Sequence, residues 1–309
     1  MLAKIILSSL AALALVACAP PKDDIVIAGN SWLGATPFYA FEAVSPEQMP
    51  AGIRTVMLVS DISVMRMLGN GGISGAFVTL DNALTANTLS GGDYCVAMVI
   101  DRSNGADAVV ARPDWQPESG MPIRVGLEDS TIARYMLERW QSAAQLNAVD
   151  LQPRVLLPTQ HLAAMKNESV DVIISYEPFI TRLKQLNGRV LFDSRSEDVD
   201  VLDVLIVRKE VFAAAPRQII ALREQVWPRI FVRIQEREET FWSALRQLSD
   251  LPADDLSSTL AAVEFVPAER QAEALEQLIT TAMPATINYL IANNVHDHVE
   301  PLSICGARQ

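Results

Sequence analysis

The side chains that could do chemistry in this sequence are polar residues set at the ends of apolar, β-branched runs. Ser31 and Trp32 come just after Ile25-Val26-Ile27-Ala28, Asp81 after Gly75 to Leu80, and Tyr176 and Glu177 after Val170 to Ser175. Asp203 interrupts the run Val201 to Val207. Ser103, Asn104, Gly105 and Asp107 form a polar turn, and Ser130 and Thr131 open the helical pattern Thr131 to Leu146. These groups offer recognition: carboxylates attract cations, aromatic rings present a face, and hydroxyls and helix N-terminal N–H groups hydrogen-bond. Bond-making motifs are missing. Gly69 to Gly75 is glycine-rich but follows a helix and precedes a strand, the reverse of a dinucleotide fingerprint, and reads as a helix end and turn. His296-Asp297-His298 with Glu300 lacks a defined metal-site spacing and reads as solvated surface, so neither metal nor cofactor is expected.

These residues need strands and helices to hold them. Strand-like runs fall at Ile25 to Ala28, Arg54 to Val59, Gly75 to Leu80, Tyr94 to Asp101, Ala108 to Ala111 and Ile123 to Leu127. Further ones are Arg154 to Leu157, Val170 to Ser175, Arg189 to Phe192 and Val201 to Val207. Helical patterns lie between them at Ser63 to Leu68, Thr131 to Leu146, Gln160 to Lys166 and Phe179 to Leu186. The alternation predicts an α/β body with mostly parallel pairing. From Pro216 the pattern turns helical, over Arg217 to Leu248, Ala253 to Val263 and Ala268 to Asn293, with no strand expected among them. The 309 residues carry 37 Asp+Glu against 25 Lys+Arg, a net charge of −12, which argues against a nucleic-acid surface. After residue 17 no apolar run is long enough to span a bilayer.

Met1 to Cys18 reads as an export signal, with Lys4 ahead of an apolar stretch, Ile5 to Val16. Its end, Leu15-Val16-Ala17-Cys18, resembles the lipobox of bacterial lipoproteins, which implies cleavage after residue 17 and lipidation of Cys18. An ordinary signal peptide cut near Ala17 is the alternative. Cys95 and Cys305 then remain in an oxidising compartment, where they can pair as a disulfide; otherwise Cys95 is a small buried strand residue and Cys305 sits on a tail.

Asp101-Arg102-Ser103-Asn104-Gly105-Ala106-Asp107-Ala108-Val109-Val110-Ala111 strongly resembles the solute-binding proteins of bacterial ABC importers in the nitrate/sulfonate/taurine superfamily, which are type II periplasmic binding proteins. Trp32-Leu33-Gly34-Ala35-Thr36-Pro37, Gly75 to Asp81, Gly126 to Ser130, Val170 to Pro178 and Asp203 to Val207 match in the same order. The resemblance implies two α/β lobes, each a mixed sheet flanked by helices, joined by two crossover strands, Tyr94 to Ala111 and Val201 to Lys209. Expected bounds are a signal peptide over 1–17, a lipidated linker over 18–24, lobe one over 23–99 plus 205–309, and lobe two over 100–204. It also implies a small-molecule solute in the inter-lobe cleft, an ABC permease as partner, a monomer, and a periplasmic location with a lipid anchor at Cys18.

Each cleft candidate has a structural alternative. Trp32 can lie flat on a ligand or plug lobe one. Asp81 can cap a helix or reach the ligand from a cleft-facing helix start. Ser103 and Asn104 belong to a hinge that can also touch ligand. Ser130 and Thr131 offer an anion site, but Glu128 and Asp129 beside them disfavour a bare anion. Glu177 precedes Pro178 and so sits at an extended strand tip, facing a ligand or an arginine such as Arg182 or Arg208. Asp203 would be costly unpaired in an apolar strand, so it anchors the hinge or meets the ligand. Asp81, Asp107, Glu177 and Asp203 together make the cleft too acidic for a simple oxyanion, so the expected ligand carries an amine or N-heterocycle. Sulfonate or nitrate binding is the alternative, as is a receptor without a transporter. The same fold includes a pyrimidine synthase of thiamine biosynthesis, but nothing here resembles that family's cysteine cluster, and His161 is the only mid-chain histidine. An enzyme is therefore not expected.

Overall fold

The computed structural model describes residues 24–117, 121–147 and 151–306. The export signal and Cys18 lie outside the described residues. The strands are β1 (Ile25–Gly29), β2 (Ile53–Met57), β3 (Gly75–Thr79), β4 (Tyr94–Ser103), β5 (Asp107–Ala111), β6 (Ile123–Leu127), β7 (Leu151–Val155), β8 (Val172–Tyr176), β9 (Arg189–Asp193), β10 (Leu202–Arg208), β11 (Val263–Phe265) and β12 (Ser303–Ile304). They form two sheets, one ordered β11-β4-β10-β3-β1-β2 with β12 on β4, the other β7-β6-β8-β5-β9.

Both sheets are mixed, where the alternation alone predicts mostly parallel pairing. β1 runs parallel to β2 and β3, and β6 parallel to β7 and β8. β10 runs antiparallel to β3 and β4, and β5 antiparallel to β8 and β9. The reason is the crossover: the chain leaves the first sheet along β4 into β5 and returns along β10, so these strands run against their neighbours.

β11 falls in the stretch expected to be wholly helical. It pairs antiparallel with β4, covering part of that strand's edge. β7 begins at Leu151, three residues before the expected start, because the parallel register sets Leu151 opposite Ile123.

The helices preceding the second crossover are α1 (Thr36–Val44), α2 (Asp61–Gly69), α3 (Leu80–Leu89), α4 (Thr131–Ala143), α5 (His161–Lys166) and α6 (Phe179–Gln185). α2 and α4 start where serine caps them: the Ser60 hydroxyl accepts the Ser63 N–H at 3.2 Å, and Ser130 that of Ala133 at 3.4 Å. α1 shows no helical stripe in sequence because Thr36 through Phe41 are all buried.

Alternate residues of β10 feed two cores: Leu205 and Val207 on one face, Val204 and Ile206 on the other. On the first face Phe38 is sandwiched between Phe77, 4.6 Å away, and Trp227, stacked at 5.1 Å. Cys95 of β4 is disulfide-bonded to Cys305 beside β12, which ties the C-terminal segment to the crossover strand.

The hinge is a knot of short polar links. Ser194 accepts the Gly105 N–H at 2.8 Å and shares a hydrogen bond with the Ser103 hydroxyl at 2.7 Å, while the Ser103 N–H donates to the Val201 carbonyl at 2.9 Å. Gly105 has φ of 99°, a left-handed conformation that calls for glycine.

Candidate functional site

Strand ends and helix starts from both sheets converge between the lobes, where open α/β sheets place ligands. Six carboxylates meet there. Asp61 opens α2, Asp81 lies in the first turn of α3, Asp101 is on β4, and Asp203 is on β10. From the other side come Asp107, which begins β5, and Glu128, which follows β6. None is more than 8% exposed. Among the described residues none of the six is ion-paired. One oxygen each of Asp81, Asp101, Asp107 and Glu128 is buried without a hydrogen-bond partner. Such groups are costly to bury unless something satisfies them.

The electrostatics follow from burial. Desolvation pushes Asp101 up to about 8, with the Trp32 N–H pulling the other way and Asp107 adding to the rise. Desolvation also brings Asp107 to about 7, opposed by Ser103 and reinforced by Asp81 and Glu177. Asp61 and Asp203 are raised well above the carboxylate range by burial and then by neighbouring carboxylates. Asp101 and Asp203 are direct register partners across β4 and β10. Burial thus favours the protonated forms of these carboxylates.

Aromatic and amide groups complete the walls. The Trp32 indole N–H donates to Asp101 at 3.3 Å, and its ring meets Tyr176 edge-on at 6.1 Å. Asn30 orients both sides of this corner, donating to Asp61 at 2.8 Å and accepting the Trp32 backbone N–H at 2.7 Å. Glu128 reaches across the cleft to accept the Ile62 N–H at the start of α2, at 3.2 Å. Two cavities of about 20 Å³ each lie within this arrangement. One is bordered by Trp32, Asp61, Asp107, Tyr176 and Asp203, the other by Asp107, Glu128, Ser130, His161 and Tyr176. A larger cavity of about 200 Å³ adjoins them, with Asp81 in its wall.

Of the residues singled out in sequence, Trp32, Asp81, Ser130, Tyr176 and Asp203 border these cavities. Trp32 belongs to the buried core of lobe one, the structural alternative weighed for it, and also borders an inner cavity. Ser31 sits beside the Tyr176 hydroxyl, and Thr131 is half-buried at the first turn of α4. Ser103 and Asn104 belong to the hinge: Ser103 is bonded to Ser194, and Asn104 is exposed, its N–H held by the Ala262 carbonyl at 2.9 Å. Glu177 turns away from the cavities. Its carboxylate accepts the Thr181 N–H at 2.9 Å and the Thr181 hydroxyl at 3.0 Å, capping α6. The arginines weighed as its partners lie elsewhere, Arg182 on the Ser249 carbonyl and Arg208 on that of Leu68.

Asp61 and His161 border the inner cavities and Asp101 is buried beside Trp32, and none of the three is among the sequence candidates. Asp61 and Asp101 do carry a sequence signal, a carboxylate at the end of a β-branched run. His161 is buried, its Nδ1 is 3.0 Å from the Ser175 hydroxyl, and desolvation lowers it to about 4, so it is neutral. Its partner-free Nε2 borders the second small cavity.

No protein-family model matches the sequence, and no curated protein is a significant match to it. Solved structures do match in fold. The ligand-binding component of an ABC-type import system from Staphylococcus aureus, solved with zinc bound, superposes with a TM-score of 0.72 at 14% identity, over 91% of this chain and 97% of that one. The alkanesulfonate-binding protein SsuA from Xanthomonas axonopodis pv. citri, bound to MOPS, gives 0.70 at 16% identity, over 90% and 95%. The desulfurization enzyme DSZB gives 0.63 at 13%, over 92% and 95%. The chain thus has the two-lobed fold of periplasmic solute-binding proteins, a fold that also carries an enzyme.

Proposed function

We propose that the protein is the extracytoplasmic solute-binding component of an ABC importer and that its cleft captures a small cation, an amine or protonated N-heterocycle. The observation that carries this reading is the set of buried, partly unpartnered carboxylates from both lobes, with no arginine or lysine ion-paired to them among the described residues. An oxyanion would find no cationic partner in this cluster, whereas an ammonium group would displace the carboxyl protons, satisfy the free oxygens and draw the lobes together. Trp32 and Tyr176 add aromatic surface suited to a cation. Binding requires no covalent step, and the role assigned is capture rather than catalysis.

In this reading the signal over 1–17 directs export, and lipid on Cys18 holds the protein at the membrane beside its permease, raising the local concentration of each for the other. The test is a thermal-shift screen of the purified protein against amines, N-heterocycles, alkanesulfonates and nitrate. Stabilisation by members of the first two classes supports the reading. Stabilisation by sulfonates or nitrate alone rejects it.

A further inference from the structure

We infer that the ligand is a cationic head joined to an apolar, ring-sized body, and that the body occupies the 200 Å³ cavity between α4 and the Met283–Ala292 helix; this rests on the cation-binding reading above. The two compartments differ in size in a way that sorts ligand parts. Each inner cavity, at about 20 Å³, has room for roughly one water-sized group by the usual threshold of about 10–15 Å³. That suits an ammonium group but not a molecule. The outer cavity exceeds the roughly 150 Å³ that holds a benzene ring in an engineered core.

Two helix faces from opposite lobes make most of its aromatic and apolar wall, and Asp198 and Asp200 add a polar edge. α4 contributes Ile132, Tyr135 and Arg139, at spacings of three and four residues. The other helix contributes Ala285, Thr286 and Tyr289, with Ala282 just before it at the end of a π-helical turn, Leu278–Ala282. A π turn shifts the face that a helix presents, and such turns recur at functional sites. Tyr135 and Tyr289 meet edge-to-face at 4.9 Å across the gap, giving a ring two aromatic neighbours. Arg139 lies over the Tyr135 ring at 5.0 Å, and its buried Nε has no acceptor, leaving a donor for the body's outer end.

The compartments are neighbours that share wall residues. Ile132 borders all three cavities, and Val201 borders the outer one and the inner one that contains Asp203. Asp81, nine-tenths buried with an unpartnered oxygen, stands in the outer wall on the side of the acidic cluster. A head placed among the carboxylates therefore has its body directed past Ile132 toward Tyr135 and Tyr289.

The experiment compares phenethylamine with ethylamine by titration calorimetry on the wild-type protein and on two variants. Ala285→Trp narrows the outer cavity from an exposed rim position, and Tyr289→Ala removes one aromatic wall. The expected result is phenethylamine binding at least tenfold tighter than ethylamine to wild type, with that preference falling at least fivefold in both variants while ethylamine affinity changes less than threefold. Equal affinity for the two amines, or a preference that survives both substitutions, overturns the outer-chamber assignment and leaves the cation reading standing. Failure of every amine to bind, with an oxyanion binding instead, overturns both.

Discussion

The indole N–H of Trp32 donates to Asp101 at 3.3 Å directly over Gly34, where an added Cβ would fall inside van der Waals contact with both groups. The backbone of the loop after β1 thus lies against a carboxylate buried in the first crossover strand, and only a residue without a side chain permits it. Lobe one, the first crossover strand and the inter-lobe cleft share this one corner.

Gly34→Ala is expected to force Trp32 and Asp101 apart. Overpacking of this kind costs about 1–3 kcal/mol. Melting temperature should drop, and ligand affinity with it, because the Trp32 face borders the inner cavity. Calorimetric melting and titration of the variant would check this, and an unchanged melting temperature would show that the corner relaxes freely.

Stability should fall as pH rises from 6.5 to 8.5 in the ligand-free protein. Asp101 at about 8 and Asp107 at about 7 bind protons in the folded state that the unfolded chain has already lost, since its carboxyls titrate near 4. Their contribution is complete below the unfolded value and is lost as pH climbs through the folded values. His161, lowered to about 4, acts in the opposite direction but only below about 6.5, outside this window. Asp101→Asn should flatten the slope. Cation binding near neutral pH should release protons, read as a dependence of calorimetric enthalpy on buffer ionisation.

Glu177→Ala should cost apo stability and leave affinity almost unchanged. The substitution removes the acceptor of two Thr181 hydrogen bonds at the start of α6. Loss of a helix cap costs about 1 kcal/mol, or roughly 2–4 °C in a domain of 150–250 residues. A large loss of affinity with unchanged melting would instead place Glu177 in the binding site.

Glu128→Ala should loosen lobe closure. Its carboxylate bridges the cleft to the α2 N-terminus at Ile62, so removing it frees one inter-lobe link. Small-angle scattering should then show a larger radius of gyration without ligand. Identical scattering curves would assign closure to other links, such as the Thr181–Thr259 hydroxyl pair at 3.0 Å.

Much of the fold is legible in sequence because the central strands β3, β4, β5, β8 and β10 are buried on both faces and read as continuous apolar runs. The crossover strands β4, β5 and β10 fall within the ranges that the family resemblance implies. α1 is hidden by the same burial that makes the strands visible, and β11 is a short pairing that only the neighbouring edge of β4 reveals. The site was legible where a polar residue ends an apolar run, as with Trp32, Asp81, Tyr176 and Asp203. Position could not give direction: Glu177 stands at a strand tip as Asp81 stands at a helix start, yet its carboxylate turns to its own helix. The acidity of the cleft was visible, but its full extent depends on Asp61, Asp101 and Glu128, which folding brings together from three separate segments.

The most direct test of the cation-binding account is titration calorimetry of the purified protein at pH 7.5 with primary amines and with the matching alkanesulfonates, on wild type and on Asp203→Asn. Amines should bind and sulfonates should not, and the asparagine variant should lose at least tenfold in amine affinity. Saturable binding of a sulfonate, unaffected or strengthened by Asp203→Asn, would contradict it.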